Sequence, residues 1–112
     1  MNETFDLPGT VLRLTLAGKP FQMMLTGEKP DEYRQDSAWI RSRLEGKNYD
    51  WVAFYHGPYT GGNLPWFACP FKGYTVAPNY GHVSFSNGLE VDIVPGMHII
   101  HLGPVVASGN LK

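Results

Sequence analysis

The chain has a single cysteine, Cys69, so no disulfide can form within it. It lacks any apolar run approaching the ~20 residues that a helix needs to cross a bilayer. Its opening residues, Met1-Asn2-Glu3-Thr4-Phe5-Asp6, are acidic where a secretory signal is basic, and no apolar stretch follows them. These scarcities predict a cytoplasmic protein with no membrane association. A positive charge excess is missing too: the net charge is -1, which excludes a general nucleic-acid coat. Beyond Trp51 charge is sparse, carried by Lys72, Glu90, Asp92 and Lys112. Electrostatic recognition is therefore expected in the first half, where Lys29, Arg34, Arg41, Arg43 and Lys47 interleave with acidic residues.

Turn formers and aromatics are plentiful: 13 Gly and 9 Pro stand beside 6 Phe, 6 Tyr and 3 Trp. This mixture predicts short strands joined by many turns. A chain of 112 residues suits one domain over 1–112, and it can bury roughly two-thirds of its unfolded surface without crosslinks or metal.

Val11-Leu12-Arg13-Leu14-Thr15-Leu16 reads as a first strand by partial alternation. Pro20 suits the first turn of a helix, because the donor it lacks has no partner there. Phe21, Met24 and Leu25 recur at helical spacing, and Gly27 closes that helix. Pro30 to Gln35 reads as extended. Asp36 or Ser37 caps a second helix striped by Trp39, Ile40, Arg43 and Leu44 and ended by Gly46. Trp51-Val52-Ala53-Phe54-Tyr55 is apolar on both faces, as in a buried strand, with Trp51 and Phe54 expected in the core. Further strands are expected over Trp66 to Val76, Leu89 to Ile93 and Met97 to Val106. The fold class expected is α+β: a small, partly closed β-barrel of about five or six strands with two short helices.

The segment Gly27-Glu28-Lys29-Pro30-Asp31-Glu32-Tyr33-Arg34 carries the functional signal. If Pro30 opens a strand, alternation places Glu32 and Arg34 on one face, with Asp31 and Tyr33 on the other. Lys29, in the turn, can reach the Glu32–Arg34 face. Two cations around a carboxylate can hold a phosphate while the carboxylate accepts from a base amine or sugar hydroxyl. The same spacing also fits a structural salt bridge in which no member meets a ligand.

The pattern of Gly27, Lys29, Glu32 and Arg34 resembles the signature of ASCH domains, relatives of the PUA domain. Lys19 to Thr26 is similar to the helix that leads into it, and Ala38 to Leu44 to the helix that follows it in short stand-alone members. Val52 to Gly57, Phe71 to Tyr74 and His98 to Gly103 resemble later strands of those proteins, so the resemblance spans about 11–106. It implies a PUA-like barrel with a cleft beside the signature, recognising RNA or a nucleotide. It also implies an alternative, because some relatives are small amidohydrolases acting on an acylated cytidine. Their threonine nucleophile is matched here by Glu32, so catalysis, whether amidohydrolase or ribonuclease, would fall to Lys29 and Glu32.

Tyr55, Tyr59 and Trp66 flank the glycine-rich loop, where Tyr55 and Tyr59 could stack on a base or, alternatively, plug the barrel end. A protein-binding role for these aromatic loops is the third reading. His98 and His101, an odd offset apart on a strand, face opposite ways and make a poor metal pair. No cofactor and no metal is expected. Gly61-Gly62 lacks the lysine and hydroxyl of a phosphate-binding loop.

Overall fold

Leucines at every second position set the first strand. In β1 (Val11–Leu16), Leu12, Leu14 and Leu16 are buried while Arg13 and Thr15 are exposed. The computed structural model, which describes residues 7–57 and 64–111, continues into α1 (Gly18–Leu25). Pro20 lies in the first turn of α1, where its missing N–H is not needed. Phe21, Met23 and Met24 are buried, Phe21 and Met24 in the main core cluster. Then come β2 (Asp31–Arg34) and α2 (Ala38–Leu44). The Ser37 hydroxyl accepts from the Ile40 backbone N–H at 3.1 Å, so Ser37 is the cap of α2. Ile40 and Leu44 are buried, whereas Trp39 of the same predicted stripe is 47% exposed and lies under the Arg43 guanidinium.

The remaining strands are β3 (Trp51–His56), β4 (Trp66–Val76), β5 (Gly81–Ser84), β6 (Glu90–Ile93), β7 (His98–Leu102) and β8 (Ala107–Gly109). The main sheet runs β1-β3-β4-β7-β2, with β8 also on β4, and it curls into a half-barrel. The expected small, barrel-like α+β fold with two short helices is therefore the one observed. β1 and β3 pair in parallel, Val11 opposite Trp51 and Leu16 opposite His56. β4 makes the curl possible: its first half pairs with β3 and β8, its second half with β7, and the register shifts between Phe71 and Tyr74. Gly73, at φ +88, sits in that irregularity, where a strand gains its sharpest bend. β5 and β6 form a separate antiparallel ribbon.

The core fills the concave side. Phe54 and Phe67 stack at 5.3 Å between centroids, and Phe21 meets Phe67 edge-on at 4.9 Å. Phe54 is fully buried as expected, but Trp51 is only half-buried, which corrects the expectation for it. Parity explains the difference: Trp51 shares the outer face with Ala53 and Tyr55, and its indole N–H donates to the Pro8 carbonyl at 2.8 Å. No helix among the described residues is long and apolar enough to cross a membrane.

Candidate functional site

Thr26 is the C-cap of α1, and Gly27 follows at φ +87. No atom lies within 4 Å of where a Cβ would stand there, so the demand on Gly27 is conformational rather than steric. The turn is fixed by the Lys29 N–H donating to the Met23 carbonyl at 2.9 Å. That bond draws Lys29 inward, and its side chain enters the barrel instead of the solvent.

There the Lys29 Nζ donates to the Asp31 carbonyl at 2.8 Å and to Glu32 Oε1 at 2.7 Å. Glu32 Oε2 accepts from Arg34 Nε at 2.7 Å. Lys29 is 3% and Glu32 4% exposed, so this is a buried ion pair, not a solvated one. Burial makes the carboxylate the hub: without Glu32, two cations would share a desolvated space with no counter-charge. Arg34 extends the cluster outward, its Nη2 donating at 2.7 Å to the Thr15 carbonyl of β1. β1 and β2 are the two ends of the main sheet, so this side chain spans the open side of the half-barrel. Among the described residues Arg34 Nη1 has no partner, and the side chain keeps 24% exposure.

Tyr33 departs from expectation. The Lys29 ammonium lies 5.2 Å from its ring centroid, a cation–π contact, so Tyr33 does not point away from the cluster. Strand parity does not bind Lys29, which belongs to the turn, and β2 is an end strand beside which a long ring has room. Burial, then the charges of Asp31 and Glu32, push the Tyr33 hydroxyl pKa up.

Two cavities adjoin the segment. One of about 150 Å³ has Lys29, Glu32 and Tyr33 on one wall, Leu16 and Pro20 beside them, and Leu89 and Val91 of the ribbon opposite. The other, about 270 Å³, lies between Gly27-Lys29-Pro30 and the Leu102–Val105 stretch, with Met24 and Cys69 also lining it. Burial raises the Cys69 thiol pKa to about 11, so it stays protonated and is no nucleophile at neutral pH.

The ribbon is tied over this region at its tip. The Ser86 N–H and hydroxyl both donate to Glu28, at 2.7 and 2.6 Å, and the Asn87 amide donates to the Lys19 carbonyl at 3.1 Å. The Ser86 hydroxyl, then its N–H, holds the Glu28 carboxyl below the usual carboxylate range. At the far end His82 sits between Asp92 Oδ1 at 2.6 Å and Glu90 Oε1 at 2.8 Å, which raises its pKa. Both ring nitrogens are thereby engaged, so Ser84, 3.3 Å away, meets no free base.

Tyr55 is not brought to the cluster. It lies opposite Thr15 on the outer face and lines a groove with Arg13. Tyr59 lies outside the described residues. His98 is buried and His101 half-exposed, on opposite faces as predicted. The residues missed by sequence reading are Thr15, whose carbonyl receives Arg34, and the ribbon's Leu89, Val91 and Ser86. A carbonyl contact leaves no trace in side-chain pattern, and 58 residues separate Glu28 from Ser86. Also unforeseen is a chain across three strands: Asp31 Oδ1 to His101 Nδ1 at 2.8 Å, and His101 Nε2 to the Thr75 hydroxyl at 3.0 Å.

The fold and site define an α+β half-barrel with a buried lysine–glutamate–arginine cluster at its open side. Comparison with protein-family models, with curated proteins and with solved structures yields no match to this chain.

Proposed function

We propose that the protein is a binding module for RNA or a nucleotide, and that a base enters the cavity beside Lys29 and Glu32. The observation that carries this reading is the state of Glu32 on the cavity wall. Its two oxygens each accept one bond, about half of what a carboxylate accepts. The rest is available to an exocyclic amine, in a setting where Lys29 and Arg34 hold the carboxylate in place. A cavity of about 150 Å³ is smaller than the ~300 Å³ typical for drug-sized ligands, so it suits a base rather than a whole nucleotide. The phosphate then falls to Arg34, whose guanidinium is held by Glu32 and Thr15 with one edge open. The resemblance of Gly27, Lys29, Glu32 and Arg34 to the ASCH signature supports the same reading.

The test leaves the buried Lys29–Glu32 pair intact. Nucleoside monophosphates and short RNAs are titrated by NMR against the wild type, Val91→Phe and Arg34→Lys. Val91→Phe fills the cavity from the ribbon side and is expected to weaken binding at least tenfold while the fold persists. Arg34→Lys retains charge but loses the fork, costing several-fold in affinity. Wild-type protein, folded by circular dichroism, that binds no nucleotide or RNA at low salt would overturn the reading.

A further inference from the structure

The outer face of β1 carries a second set of cationic groups. Arg13 is exposed there, beside Thr15, whose carbonyl already receives Arg34. Arg13 lines two shallow grooves of about 300 Å³ each. One lies between Arg13 and Arg43, with Val11 and Tyr49; the other runs along Leu14 and Thr15 to Tyr55. The other arginines find carboxylates, Arg41 holding Asp36 and Arg34 holding Glu32. Among the described residues neither Arg13 nor Arg43 makes an ion pair. Arg43 instead lies over Trp39, its guanidinium 5.0 Å from the ring centroid. Stacking uses the face of the guanidinium and leaves its in-plane donors for another partner.

We propose that the exposed face of β1 is a track for the backbone of single-stranded RNA, with Arg34, Arg13 and Arg43 as successive phosphate contacts. The proposal rests on the RNA-binding reading above and names how the strand leaves the base cavity. Arg34 meets β1 at the Thr15 carbonyl, two residues along the strand from Arg13, and two strand residues span roughly 6.7 Å. Each groove lined by Arg13 has one tyrosine, Tyr55 in one and Tyr49, beside Arg43, in the other, against which a base can lie. Three cations on a chain of net charge -1 make a short track rather than a coat.

The experiment reads fluorescence anisotropy of a labelled RNA hexamer over a range of salt, with nucleoside monophosphate binding measured in parallel by NMR. Three phosphate contacts on a single strand predict a slope of log affinity against log salt of roughly -2. Arg13→Ala and Arg43→Ala should each weaken the hexamer about fivefold, and the double variant should bring the slope to roughly -0.7. Monophosphate affinity should stay unchanged in all three, because neither residue lines the base cavity. Unchanged hexamer affinity and slope in the double variant would overturn the track while leaving the cavity reading intact. Loss of monophosphate binding in the wild type, with hexamer binding still dependent on Arg13 and Arg43, would sink the cavity and keep the track. Displacement of the hexamer by an equal concentration of hexaglutamate would overturn it as a nucleic-acid site.

Discussion

Glu32 has more to lose than either of its cations. Removing it strands the buried Lys29 ammonium, which is 3% exposed, beside the Arg34 guanidinium. Breaking a buried pair in this way costs about 3–5 kcal/mol, a large part of the ~5–15 kcal/mol that holds a domain together. Lys29→Met leaves Glu32 still paired with Arg34 and one oxygen short of a donor, which costs about 1–3 kcal/mol. Urea denaturation should therefore rank Glu32→Ala as clearly more damaging than Lys29→Met. The opposite ranking would mean that the carboxylate is not the centre of the cluster. The parity of β2 already brings Glu32 and Arg34 together in the sequence, two apart on one face. What parity could not give was depth. Lys29 reads as a turn residue near the surface, and only the Met23 carbonyl, six residues earlier, draws it into the barrel.

At the scale of elements, the β5–β6 ribbon is held by two titrating ends with opposite signs. His82 has a raised pKa, chiefly through Asp92 and then Glu90, so its clasp is complete below the ordinary histidine value of ~6.5 and lost as pH rises through the raised one. Glu28 has a lowered pKa through Ser86, so its latch is present above the ordinary carboxylate range and lost as pH falls through the lowered value. Amide exchange in Gly81–Ser84 and Glu90–Ile93, corrected for the intrinsic pH dependence, should be slowest between those two limits. His82→Gln should remove the alkaline limit and leave the acid one; a profile unaltered by His82→Gln would refute the clasp. The ribbon was half legible in the sequence. Leu89, Val91 and Ile93 alternate with charged residues and announce β6, but Gly81-His82-Val83-Ser84 has too little apolar pattern to announce its partner. β8, three residues long, is set by pairing with β4 and not by its own composition. By contrast β1, α1, α2 and β3 were readable because their periodicity and end signals lie within each segment. Trp51 misled because strand parity, not apolar character, decides which of its faces a two-sided strand turns to the core.

For the whole molecule, the sheet order β1-β3-β4-β7-β2 leaves its first and last strands facing one another. Among the described residues they are joined by a side chain, Arg34 to Thr15, and not by a ladder. End strands that present unpaired backbone are templates for another chain, and a charged side chain laid along the edge is a common guard against such pairing. Arg34→Ala should therefore raise light scattering with protein concentration well before circular dichroism shows unfolding, and a variant no more associative than the wild type would refute this. Under the binding role proposed above, the same guanidinium answers to two demands, one for a ligand and one for remaining apart from its own kind. A chain relieved of the first would still be under pressure to keep arginine at that position, for the sake of solubility.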